Sequence, residues 1–162
     1  MDGFVAWLQA TRLSQAIVSH TWIWPACETL HFIGLALLIG SAGFFDLRLL
    51  GFFRRIPVAA ARELMTFALA GFVLNLATGL IFLIGHPEQY AHNVAWWAKV
   101  AFLAAAGVNA LVFETMVAGR AMAVADGADT PIAAKAIGFA SLMAWFGVLF
   151  WGRMLPFIGS AF

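Results

Sequence analysis

Apolar residues along this chain fall into four long blocks, with neither the stripe of a surface helix nor the alternation of a strand. A helix rising about 1.5 Å per residue needs about 20 mostly apolar residues to cross ~30 Å of hydrocarbon. Residues 25–46, 63–85, 93–117 and 132–153 each supply that length. The first block is interrupted by Glu28 and His31; the second carries no charge after Glu63; the third contains Lys99 and Glu114. Pro57, Pro87 and Pro131 sit at or just before expected helix starts, where a missing N–H is harmless. The blocks are too long and too continuous for strands, which argues against a β-barrel. The pattern predicts one all-α integral membrane domain over residues 1–162, a four-helix transmembrane bundle running up-down-up-down. Residues 2–20 are too polar to span, and Phe4, Trp7, Leu8 and Val18 share one side of a helix there. That segment is expected to be a short helix lying in the interface ahead of the bundle.

Composition agrees with the blocks: 64% of the residues are hydrophobic and 10% charged, against roughly 25% charged in a soluble domain. No basic run points to nucleic acid. Cys27 is the only cysteine, which excludes an internal disulfide and CxxC chemistry. The polar start, with Asp2, lacks the basic and apolar regions of a cleavable signal peptide, so the first span is expected to direct insertion.

The charges orient the bundle. Arg48, Arg54, Arg55, Arg62, Arg120 and Lys135 flank the first and third connectors, against Arg12 and Arg153 at the other ends: six against two, with Lys99 inside a span. Basic flanks stay cytoplasmic, which predicts both termini on the outer, periplasmic side of a bacterial inner membrane. Trp22, Trp24, Trp96, Trp97 and Trp151 then gather at the outer boundary as an aromatic belt.

Helices in lipid approach through small and polar residues. Gly71, Asn75 and Gly79 form such a stripe in the second span, Ala101, Ala105 and Asn109 in the third, and Ala36 with Gly40 a pair in the first. Asn75, Thr78 and Asn109 read as interhelical hydrogen-bond formers.

Ionisable groups within spans are costly and mark candidate sites. They form two layers. The outer polar cluster is Glu28, His31, Lys99 and Arg153; the inner one is Asp46, Arg48 and Glu114. Glu28 and Asp46 share a helix face at opposite ends of the first span, and a long apolar waist separates the layers, which argues against a transmembrane proton or ion path. The outer layer is expected to pair Glu28 with Lys99 or Arg153. The inner layer is expected to join Asp46, Glu114 and the flanking arginines. All four histidines, His20, His31, His86 and His92, fall on the outer side, as a single haem b or metal site would require. Copper held by a histidine with Cys27 or a carboxylate is a further alternative. No nucleophile with an adjacent base and no phosphate-binding glycine loop is present, so no catalytic residue is assigned.

The segment WIWPACETLHFIGLALLIGSAGFFDLRLLG resembles a bacterial domain-of-unknown-function family of small four-span membrane proteins, with its E-x-x-H-x-x-G and D-L-R-L-L-G elements. The resemblance continues through Lys99 and Asn109 in the third span and Gly152-Arg153 near the end of the fourth. It implies the fold and the membrane location. Members of that family often carry histidine where this chain has Glu114. The HFIGLALLIG segment and the spacing of Lys99 and Asn109 are also loosely similar to the copper-resistance D type of membrane domain.

Two functions follow as expectations. The first is a non-enzymatic subunit or scaffold that meets lipid and a protein partner, another copy or a larger complex, through the small-residue faces of spans two and three. The second is a redox or metal-binding membrane protein with His31 as central ligand.

Overall fold

The structure, a computed structural model, describes residues 2–158. Among these, all regular structure is helical: α1 (Asp2–Gln9), α2 (Arg12–Ser19), α3 (Ile23–Leu49), α4 (Val58–Glu63), α5 (Met65–Gly85), α6 (Pro87–Ala91), α7 (Val94–Val112), a π-helical turn (Phe113–Val117), α8 (Ala118–Met122) and α9 (Ile132–Met154). Four stretches, Ile23–Leu49, Val58–Gly85, Val94–Met122 and Ile132–Met154, are long and apolar enough to cross a bilayer. Their outward side chains, such as Phe32, Leu69, Val108 and Phe146, are exposed and apolar, as contact with lipid requires. The chain is a multi-pass, four-helix membrane bundle.

Residues 2–20 differ from the single helix expected. Thr11 breaks the segment by acting as N-cap of α2: its hydroxyl accepts from Ser14 N at 3.2 Å and donates to Leu8 O at 2.7 Å. Both pieces pack on the end of the bundle that carries the chain termini, α2 on α5 and α1 on α6. We call this the terminal end, and the opposite one, rich in arginine, the basic end.

The four long helices form two hairpins, α3 with α5 and α7 with α9, joined by contact between α3 and α9. α5 and α7 scarcely touch, although only a short connector links them. The α3–α5 seam runs through glycine. A Cβ added at Gly71 would lie 2.5 Å from the Gly34 carbonyl oxygen, and one at Gly34 would lie 3.0 Å from the Gly71 carbonyl oxygen. Such backbone approach is open only to small residues.

The small-residue stripes divide accordingly. Gly71 and Asn75 face α3, as the second-span stripe suggested. Gly40 meets nothing within 4 Å, and Ala101 and Ala105 are exposed whereas Ala106 is buried. Helices apolar on all sides give no polar face from which to read their rotation. Asn109 does bond across the bundle, from Nδ2 to Ile137 O of α9 at 3.2 Å. Asn75 instead donates within its own helix, to Gly71 O at 2.8 Å.

Both clusters of buried apolar side chains lie toward the basic end. The larger gathers Phe45, Leu49, Val58, Ala61, Phe113 and Ala121, so that α4 and α8 close that end like a plug. α3 stops there in a Schellman arrangement: Phe52 N donates to Leu47 O at 3.0 Å and Gly51 N to Arg48 O at 3.1 Å. Gly51 supplies the φ of 96° that this geometry needs.

Candidate functional site

At the terminal end α3, α5, α7 and α9 line a cavity of about 610 Å³. Glu28 and His31 of α3, Lys99 of α7 and Arg153 of α9 all line it. Trp24, Phe32, Phe82, Tyr90 and Trp96 form aromatic walls.

His31 is half-buried on the third turn of α3. Its Nδ1 lies 2.7 Å from Thr78 Oγ1 on α5. The single hydroxyl proton of Thr78 is directed at its own helix, to Leu74 O at 2.8 Å with Asn75 O at 3.2 Å. Thr78 therefore accepts from His31, which assigns the ring proton to Nδ1. Among the described residues no hydrogen bond reaches Nε2, whose lone pair is left for a ligand. Gly79 flanks the ring, where an added Cβ would make an ordinary contact at 4.0 Å from His31 Cε1.

Lys99 lies along Gly152 of α9, whose added Cβ would be 3.7 Å from Cδ, Cε and Nζ alike. Among the described residues no hydrogen bond or ion pair reaches its ammonium group. Glu28 is exposed and accepts from Trp24 Nε1 at 3.2 Å. Arg153 places its guanidinium 5.1 Å from the centre of the Phe157 ring. The expected pairing of Glu28 with Lys99 or Arg153 is thus not formed among the described residues. Trp24, one turn before Glu28, offers a local donor, while neither cation comes within 4.0 Å of the carboxylate. Tyr90, on α6 between the long helices, keeps its phenol protonated: burial pushes its pKa up to about 12, and the Glu28 and Glu88 carboxylates push the same way.

The other three histidines are engaged elsewhere and do not line this cavity. His20 Nδ1 contacts Ala16 O at 2.8 Å, His86 Nδ1 lies 3.3 Å from Glu88 Oε1, and His92 Nε2 lies 3.1 Å from Asp2 Oδ1. Phe82 and Trp24 intervene between His31 and His86, with successive ring-centre distances of 5.6, 4.8 and 5.1 Å. Among the described residues no three His, Cys, Asp or Glu side chains converge as a metal-ion site, and Cys27, buried one turn before His31, is not in the cavity wall. Neither a bis-histidine pair nor a side-chain copper site is assembled.

The three inner residues separate. Glu114, in the π-helical turn, pairs with Arg62 of α4 at 2.5 Å. Arg48 is fully buried and turns to the α3–α4 connector, Nε donating to Ile56 O at 2.6 Å. Asp46 is 4% exposed, faces the Ser141 hydroxyl and meets neither arginine. The expected inner network is therefore one surface ion pair and two separate buried groups, because Arg48 reaches a backbone carbonyl beside it before any carboxylate. Asp129 fastens the connectors instead, to Lys135 at 2.7 Å and Arg54 at 3.1 Å. The hydrogen bond from Lys135, with Arg54 nearby, holds its carboxyl below the usual range.

Tyr90, Phe82 and Gly152 were not among the sequence-derived site residues. A lone tyrosine in a short connector was the available signal for the first, the Gly152-Arg153 element of the resemblance for the last, and Phe82 looks like an ordinary span residue. Comparison with known families, curated proteins and solved structures returned no match.

Proposed function

We propose that this protein is a haem-binding subunit of a bacterial inner membrane, with both termini and the cavity on the periplasmic side. The orientation rests on the six basic residues flanking the basic-end connectors. The haem reading rests on one observation: an open imidazole nitrogen and an unpaired ammonium group share an aromatic-walled cavity. A cation without a partner in a low-dielectric site favours an anionic ligand. Haem b matches that demand at both ends. His31 Nε2 would hold the iron, with Nδ1–H on Thr78 fixing ring orientation in the manner of a metal-bound histidine. Lys99 and Arg153 would neutralise the two propionates, and Trp24, Phe82 and Trp96 would cover the macrocycle. Bound haem supplies an iron centre for electron transfer or for binding a small diatomic molecule. His31 is the histidine in the cavity lining and so the residue that would hold the iron.

Titration of haemin into the detergent-purified protein tests this. A saturable Soret band is expected in the wild type, lost in His31→Gly and restored there by imidazole. Equal spectra for wild type and His31→Gly at every haemin concentration would overturn it.

A second reading, a scaffold that docks a membrane partner, is favoured by the exposed Ala101 and Ala105 on α7. Gly71 and Asn75 already serve the α3–α5 seam, so the partner would meet α7. Loss of a co-purifying subunit on Ala101→Phe, with the Soret band unchanged, would support that reading separately.

A further inference from the structure

A second cavity, of about 300 Å³, lies toward the basic end, where α5 and α7 fail to meet. Its mouth is formed by exposed residues of these two helices, Leu69 on one side and Gly107 and Ala110 on the other, so it opens sideways into hydrocarbon rather than to water. The α3 residues on its wall run from Leu38 to Leu49, about 16 Å of helix at ~1.5 Å per residue. The walls are largely apolar, yet Asp46, Ser141 and Asn109 line them.

Of the buried polar groups left unpartnered, which also include Arg48 Nη1 and Nη2 and Asn75 Oδ1, Asp46 is the one on this cavity's wall. It is 4% exposed, and its Oδ2 has no hydrogen-bond partner among the described residues. An acceptor oxygen so buried in low dielectric carries a penalty that a donor would remove. Among the described residues no Lys, Arg or His lines the cavity. Arg48, off the cavity wall, reaches Ile56 O through Nε while its Nη1 and Nη2 are buried without a hydrogen-bond partner among the described residues, and Glu114 pairs with Arg62. The π-helical turn provides an independent pointer. It places Phe113 and Glu114 at this cavity, and π-bulges inside helices occur frequently at functional sites.

We infer that this lateral cavity is a binding site for a membrane-soluble molecule with an apolar body and a hydrogen-bond-donor head, a hydroxyl or an ammonium group, which enters between α5 and α7 and donates to Asp46 Oδ2. The same chemistry disfavours a fatty acid, whose carboxylate would face Asp46 with no Lys, Arg or His among the described lining residues to separate them. The site is distinct from the histidine cavity: no residue lines both.

Trp145 lines the wall and reports occupancy. The full-length protein in detergent is titrated with three bromoalkyl probes of equal length, an alcohol, an ammonium and a carboxylate, while tryptophan fluorescence is followed. Saturable quenching by the alcohol, the ammonium or both is expected, and whichever saturates identifies the head. The carboxylate should bind at least about tenfold more weakly, a difference of 1.4 kcal/mol. Trp145→Phe should remove the saturable component. Asp46→Leu should weaken binding by at least about tenfold. Ala110→Phe, which narrows the mouth without touching Asp46, should do the same and serves if Asp46→Leu fails to fold. Equal quenching by all three heads, or affinities unchanged in both Asp46→Leu and Ala110→Phe, would overturn the inference.

Discussion

Glu28 and Asp46 stand 18 residues apart on α3, five turns along one face, yet their surroundings share almost nothing. Glu28 is exposed, bonded to a tryptophan on its own helix and set beside the larger cavity. Asp46 is buried among four helices near the plugged end of the bundle. The contrast extends to the two ends as a whole. At the basic end the connectors are fastened to the helices: Thr130 donates to Leu49 O at 2.5 Å, Asp129 holds Lys135 and Arg54, and Arg48 binds Ile56 O. At the terminal end α3, α5, α7 and α9 line the larger cavity, and among the described residues no hydrogen bond or ion pair reaches the Lys99 ammonium group or His31 Nε2. Charge at the basic end ties connectors to helices through Asp129, Arg54, Lys135 and Arg48 Nε, while Asp46 Oδ2 and Arg48 Nη1 and Nη2 stay buried and unpartnered among the described residues. Charge at the terminal end is available to something else.

That difference can be broken most forcefully at the basic end. A Cβ at Gly138 would come to 2.8 Å from Asp46 O and 3.1 Å from Leu49 Cβ. Gly138→Leu is expected to cost about 3 kcal/mol, measured by denaturant unfolding in detergent. Gly152→Ala, whose nearest neighbour would be at 3.7 Å, should stay within about 0.5 kcal/mol of wild type. Equal losses would mean that the terminal end is packed as tightly as the basic one.

Thr130→Val comes next. It leaves the Leu49 carbonyl without the buried hydroxyl, an expected loss of about 1–3 kcal/mol, and should speed proteolysis of the connector before α9.

The sign should reverse at the terminal end. Lys99→Met removes an unpaired ammonium group and should raise the stability of the haem-free protein by about 1 kcal/mol, while weakening haemin binding. A destabilised variant would show that Lys99 is already satisfied by the fold.

The smallest effects concern pH, and they run in opposite directions at the two ends. The Tyr90 pKa is raised from 10.0 to about 12, so its contribution is present below pH 10 and is lost as pH rises toward 12; Tyr90→Phe should flatten the alkaline limb of a melting-temperature profile. The Asp129 pKa is lowered in the folded state, so its contribution is present above the ordinary carboxylate range and is lost as pH falls through the lowered value. Asp129→Asn should abolish that acid slope.

Residue order alone determined the four spans, because a backbone in hydrocarbon must satisfy its own hydrogen bonds and about 20 apolar residues are needed to cross. It also brought Glu28, His31, Lys99 and Arg153 to one end, since position along a helix fixes depth. Rotation was another matter. In helices apolar on every side, nothing local distinguishes Gly34 from Gly40 or Ala106 from Ala101; only contact with α5 and α9 makes the first of each pair the buried one. Long polar side chains posed the same difficulty, because Arg48 and Glu28 take the nearest partner that folding brings within reach. The divergence of α5 from α7 left no trace in the sequence, since a gap between helices belongs to neither. Tertiary packing alone decided that this bundle has one plugged end, one open end and a lateral cavity with an unpartnered carboxyl.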